Sequence, residues 1–184
     1  FISKHFPKNI IHIIPYPCHP LKLGDKNKAR KKLNLPLEKK IILSYGFRPP
    51  DLKPVLPAIK ELSQQISLIY LIIVNPVANT RSLDAIISNY DFVNLRVSAL
   101  PLEELYDYLH ASDALLIHRE SSKKYKAVIS SSVCLTLGSG CPILYHESNF
   151  VELHNDEIIK YKDSNDLKKK LVEVFEGCLL YTSD

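Results

Sequence analysis

The chain has 184 residues, 46% hydrophobic and 24% charged, with a net charge of +4. That length is ample for one buried core, and those proportions are ordinary for a globular domain. No apolar run approaches the roughly 20 residues that span a bilayer, so no transmembrane segment is expected, and the modest charge gives no strong electrostatic case for nucleic acid.

Ile10 to Ile14 is a short apolar run closed by Pro15 and Pro17, as a strand end would be. Asp25 can cap a helix carrying Ala29 and Leu33. Ile41 to Tyr45 reads as a continuous apolar strand ending at Gly46. Val55, Leu56, Ile59, Leu62 and Ile66 fall at helical spacing and predict an amphipathic helix over 52–66. Ile69 to Val74 is the clearest strand, stopped by Asn75 and Pro76. A helix over 81–90 carries Leu83, Ile86, Ile87 and Tyr90 on one face, and Phe92 to Val97 alternates as a strand. Pro101 suits a first helical turn, followed by the stripe Leu102, Leu105, Tyr106 and Leu109. Ala114 to Ile117 is a strand, 131–138 a short helix, and Ile143 to Tyr145 and Ile158 to Tyr161 are strands. Leu167, Leu171, Val174 and Phe175 line a last helix that Gly177 stops.

Strands apolar on both faces, separated by amphipathic helices, predict a parallel sheet covered on both sides. Right-handed crossovers make it an α/β, Rossmann-like, doubly wound sheet of about six strands. Its ligands belong outside the carboxyl ends of the strands, so Gly46, Asn75, Ser98 and His118 should share one edge.

The basic clusters, Lys26-Lys28-Arg30-Lys31-Lys32 and Lys168-Lys169-Lys170, fall on expected helices. They read as solvated faces rather than as a nucleic-acid or anionic-membrane patch. The four cysteines (Cys18, Cys134, Cys141, Cys178) show no CxxC pair and no metal-ligand rhythm. Three lie beside apolar segments and read as reduced small hydrophobes of a cytoplasmic protein. Neither a metal site nor a disulfide is expected. Phe1 opens the chain without a signal-peptide pattern, and further sequence upstream is expected.

After the strand ending at Tyr45 come Gly46, Arg48 and Lys53. A tight glycine turn with a forked donor and a point charge suits a diphosphate; a surface loop with two solvated cations is the plainer alternative. After Ile117 come His118, Arg119 and Glu120, then Ser130, Ser131 and Ser132 directly before an apolar helix. The serines are an N-cap, and a helix start can seat a phosphate; capping without a ligand is the alternative. There is no GxGxxG and no Walker loop, so neither NAD nor ATP hydrolysis is suggested.

Gly46-Phe47-Arg48 followed by Lys53 resembles the GR…K segment of retaining glycosyltransferases of the large family four, which have the GT-B fold. Val93 to Val97, Leu102 to Tyr106 and Ala111 to Ala114 resemble that family's "V-F-G…L-Y…A-D-V" stretch. Gly140-Cys141-Pro142-Ile143 resembles its "G-x-P-V" turn, and Ile13 to Pro17 its "V-I-P-N-G" opening. The pieces run in order over residues 10–176.

The resemblance implies the C-terminal half of a GT-B fold: residues 1–9 a remnant of the inter-domain region, and 10–177 a nucleotide-sugar-binding domain. It implies a nucleotide diphosphate sugar as donor, no cofactor and transfer with retention. The acceptor, a sugar, lipid or small molecule, would be chosen by an N-terminal domain outside this chain, to which any membrane association would also belong. Carried over by position, Arg48 and Lys53 would hold the diphosphate. Ser98 to Leu100 would face the base, with Gly46, His118 and Ser130 to Ser132 near phosphate or sugar. The family's two glutamates, eight residues apart and the second seven before the turn proline, are replaced by Ala127 and Leu135, and Glu120 is the only acid nearby. That departure motivates two alternatives: a non-catalytic nucleotide- or partner-binding domain, or a GT-B sugar-nucleotide epimerase using His118 and Glu120 as acid and base. Residues 178–184 resemble translated adapter sequence; a genuine terminus is the alternative.

Overall fold

The computed structural model describes residues 17–46, 49–76, 81–124 and 128–178. In chain order the elements are α1 (Lys26–Lys32), β1 (Lys40–Tyr45), α2 (Leu56–Ser63), β2 (Leu68–Val74), α3 (Arg81–Ile87) and β3 (Val93–Val97). There follow α4 (Leu102–Ala111), β4 (Ala114–Ile117), α5 (Ser131–Thr136), β5 (Ile143–His146), β6 (Ile159–Tyr161) and α6 (Ser164–Phe175). The six strands form one sheet in the order β3-β2-β1-β4-β5-β6, with every neighbouring pair parallel. The expected Rossmann-like doubly wound sheet is what forms. The expected strand over residues 10–14 lies outside the described residues.

Successive residues of β1 point to opposite faces, and both faces are buried. Ile42 packs into a layer made by α2 and α6, with Leu56, Ile59, Leu62, Leu167 and Leu171. Ile41 and Leu43 pack into the opposite layer, with Ala29 of α1, Tyr106 and Leu109 of α4 and Val133 of α5. That is why β1 and β2 read as unbroken apolar runs. The edge strand β3 is only partly buried, with Asn94 and Val97 exposed.

Helix α6 shows which forces dominate. Leu167 and Leu171 are fully buried and Val174 nearly so, and each such side chain contributes about 1.5–3 kcal/mol. The ion pair from Lys168 Nζ to Glu61 Oε2, at 2.6 Å, joins two solvated groups and is worth about 0–1 kcal/mol. Packing therefore sets where α6 docks. Asp163 caps it by accepting from the N–H groups of Asn165 and Asp166, and Gly177 follows in the left-handed region at φ 76°.

Two expectations need correction. The helix expected over 52–66 is shorter, because Pro54 disfavours helical geometry at the residue before it. Leu52 to Val55 form a turn after a 3-10 segment (Pro49–Asp51), and α2 starts with a proline in its first turn. The basic cluster on α1 is also not wholly a solvated face: Arg30 is buried, 3% exposed. Its Nε donates to Ala111 O at 2.8 Å, Nη1 to Leu37 O at 2.6 Å and Nη2 to Asp113 Oδ2 at 2.7 Å. A guanidinium can be buried here because each nitrogen has an acceptor.

Residues 17–25 form a strap across α4 and α5. His19 N–H donates to Cys134 O at 2.9 Å and Lys22 N–H to Gly138 O at 2.7 Å. Lys22 O is 2.7 Å from His110 Nε2. Cys134 and Cys141 are buried, as small hydrophobes would be, whereas Cys18 and Cys178 are exposed; all four are free thiols.

Candidate functional site at the carboxyl edge of the sheet

The strand order reverses between β1 and β4, the place where an open α/β sheet forms its ligand crevice. Ile42 is level with Ala114 and Leu43 with Leu115; continued along the strands, that register brings Gly46 beside His118. Gly46 has φ 62°, and a Cβ there would meet nothing within 4 Å. Glycine is needed for the backbone conformation, and the space beside it is open. Asn75 and Ser98 follow β2 and β3 at the same edge, Ser98 N–H donating to Val74 O at 2.9 Å. Leu100 is half-buried against the layer under α4. The four residues expected at one edge are there.

Of the expected diphosphate holders, Arg48 lies outside the described residues. Lys53 is exposed in the turn before α2, so its charge is free of the core. Ser130 occupies the N-cap of α5, but its side chain makes no capping bond; it is buried and lies against the Tyr145 hydroxyl. Ser130 is thus at the expected cap position, with its hydroxyl turned to Tyr145 on β5 rather than to the helix N–H groups. Ser131 is exposed and Ser132 half-buried. Tyr45 Oη is buried with no hydrogen-bond partner among the described residues. Burial pushes it up to about 12, and Ser132, close by, opposes the shift without closing a bond.

The best-defined side-chain cluster stands at the ends of β4, β5 and β6. His118 is 9% exposed and its Nδ1 lies 2.9 Å from Tyr161 Oη. Its Nε2 is 3.2 Å from Glu120 Oε1. The His146 ring stacks on it at a tilt, centroids 4.3 Å apart, and His146 Nδ1 is 3.2 Å from Arg119 O. Burial lowers the His118 pKa, the neighbouring His146 lowers it further, and Glu120 opposes both. Burial raises the Tyr161 hydroxyl and also that of Tyr145, the latter opposed by Ser130 and Arg119. The Arg119 guanidinium lies over the Phe150 ring, 4.8 Å from its centroid. His118 and Glu120 were singled out in the sequence; His146 and Tyr161 were not. The rule of inspecting the residue that ends each strand, extended to β5 and β6, would have found both.

No protein-family model matches the chain. Among solved structures it is similar to a glycosyltransferase from Rickettsia africae ESF-5, with TM-score 0.63 and 14% identity over 82% of this chain and 41% of that one. It is similar to Anabaena Alr3699/HepE in complex with UDP-glucose, with TM-score 0.61 and 11% identity over 84% of this chain and 43% of that one. It is also similar to the C-terminal CMP-Kdo binding domain of WaaA from Acinetobacter baumannii, with TM-score 0.59 and 13% identity over 83% of this chain and 88% of that one. The chain thus spans about two-fifths of the first two proteins and nearly all of the third, a single domain. At these identities the likeness is one of fold: a six-stranded, Rossmann-like α/β domain of the kind these proteins contain.

Proposed function

We propose that this chain is the donor-binding part of a glycosyltransferase and holds a nucleotide diphosphate sugar over the carboxyl edge of its sheet. The observation that carries the reading is the reversal of strand order between β1 and β4. At such a reversal an open sheet forms its ligand crevice, here between Gly46 and Lys53 on one side and His118 to Glu120 on the other. The fold neighbours that bind UDP-glucose or CMP-Kdo support a sugar nucleotide as the ligand class. In this reading Arg48 and Lys53 hold the diphosphate and offset the charge that grows on it as the glycosidic bond breaks. Ser130 to Ser132 flank the phosphate or sugar, and Ser98 to Leu100 face the base. The acceptor, retention at the anomeric carbon and an additional acceptor domain are parts of the same proposal.

Calorimetric titration with UDP, GDP and ADP, and with the corresponding sugar conjugates, tests it. Charge-assisted bonds to a partly desolvated phosphate are worth about 1.5–3 kcal/mol. Arg48→Ala should therefore weaken binding by about 10- to 100-fold, and Lys53→Ala by less. No binding by the wild-type chain, or equal affinity in Arg48→Ala, would leave the non-catalytic, partner-binding alternative as the better reading. The epimerase alternative is favoured by the His118–Glu120 contact at 3.2 Å, which pairs an imidazole with a carboxylate beside the crevice. Glu120→Gln in the longest available form of the protein separates the two. An epimerase would lose turnover and keep nucleotide binding, whereas a transferase would keep most of its turnover.

A further inference from the structure

Three potential ligands meet at the ends of β4 and β5: the imidazoles of His118 and His146 and the carboxylate of Glu120, whose ligand atoms all lie within 4.8 Å of one another. A tetrahedral ion with bonds of about 2.1 Å wants its ligand atoms roughly 3.4 Å apart, so small side-chain rotations would close the set. Glu120 has room to move, its side chain being 73% exposed.

The hydrogen bonds decide which ring nitrogens are available. Arg119 O can only accept, so His146 Nδ1 carries the proton in the contact at 3.2 Å, and the lone pair of the neutral ring is on Nε2. Tyr161 Oη lies 3.4 Å from Ile117 O and can donate to it. In that arrangement the phenol oxygen accepts from His118 Nδ1–H at 2.9 Å, which leaves the His118 lone pair on Nε2 for a cation. Without a cation the other tautomer serves, Tyr161 O–H donating to Nδ1 and His118 Nε2–H to Glu120 Oε1 at 3.2 Å, and a cation on Nε2 takes the place of that proton. Orienting imidazole ligands through the far nitrogen, to a carbonyl and to a phenol, is how metal-binding histidines are held. Two imidazoles and a carboxylate with a further position free are the donor set of an open zinc site.

We infer that His118, Glu120 and His146 form a binding site for one divalent first-row transition cation of the zinc class, with Tyr161 and the Arg119 carbonyl orienting the rings. The inference does not depend on nucleotide binding, and it departs from the sequence expectation that no metal site is present.

The test uses the whole chain, stripped with a chelator and titrated with Zn²⁺, and separately with Co²⁺ followed by visible absorption, without nucleotide. One equivalent should bind, with the strong visible bands of tetrahedral cobalt. Glu120→Gln, at an exposed position, and His146→Ala, checked for folding by circular dichroism, should each weaken binding at least as much as the roughly 10- to 100-fold lost with an outer-shell partner. Tyr161→Phe should fall within that 10- to 100-fold range. A variant with Cys18→Ser and Cys134→Ser should bind like the wild type. Unchanged affinity in Glu120→Gln and His146→Ala, a sulfur-to-cobalt charge-transfer band that vanishes in the cysteine variant, or no binding at all would overturn the assignment.

Discussion

Arg30 and Asp113 form an ion pair that joins α1 to the start of β4, the guanidinium Nη2 lying 2.7 Å from Asp113 Oδ2 with both side chains less than a tenth exposed. Asp113 Oδ2 also accepts from Ile41 N–H at 2.7 Å, and Oδ1 from Lys26 Nζ at 2.9 Å. One carboxylate therefore ties together α1, β1 and β4. Removing one partner of a buried pair strands the other and costs about 3–5 kcal/mol. Arg30→Ala should fall at the lower end, because Lys26 still serves Asp113. Asp113→Ala should cost more, since it leaves Arg30 Nη2 and the Ile41 N–H without their acceptor. Urea unfolding of the two variants gives the order; equal or negligible losses would show that water replaces the pair.

A second buried pair predicts an asymmetry of its own. Ser44 Oγ donates to Leu116 O at 2.5 Å, so its single hydrogen is used, and Tyr70 Oη, 2.9 Å away, must be the donor between the two hydroxyls. Tyr70→Phe removes that donor and leaves Ser44 bonded, a loss of about 0.5–1.5 kcal/mol. Ser44→Ala leaves the Tyr70 hydroxyl buried without an acceptor, about 1–3 kcal/mol. Thermal unfolding of both single variants and the double variant should show the double falling short of the sum.

Two glycines should respond to alanine for different reasons. At Gly46 the cost is conformational, about 1–2 kcal/mol for an L-residue in the left-handed region, with no collision. At Gly138 the added Cβ would lie 2.3 Å from Pro20 O and 2.6 Å from His19 O, so the strap over α5 must lift. Overpacking of that kind costs about 1–3 kcal/mol. Amide hydrogen exchange distinguishes them: Gly138→Ala should speed exchange at His19 and Lys22, whose N–H groups bond α5 and the turn after it, whereas Gly46→Ala should leave both unchanged.

The sheet was legible because burial on both faces writes itself into a parallel strand as an unbroken apolar run, as in Ile41 to Leu43 and Leu71 to Val74. Covering helices carry a 3.6-residue stripe, and Gly46 and Gly177 mark turns that few other residues adopt. Since parallel strands all end on one side, their sequence order also placed Gly46, Asn75, Ser98 and His118 at a common edge. What the sequence could not show was which strand ends are neighbours, and that is what assembles a site. His118 and His146 are far apart in the chain, with a helix between them, and meet only because β4 pairs with β5; no ligand spacing along the sequence could reveal the pair. Tyr161 reaches His118 across the intervening β5 for the same reason. Arg30 looked like one more lysine-rich surface position until the fold supplied Ala111 O, Leu37 O and Asp113 as acceptors. Local periodicity determines the elements because it is set by the backbone's own repeat. Burial of a charge, a serine turned to a tyrosine and convergence of ring nitrogens depend on partners distant in sequence, and only the tertiary structure decides them.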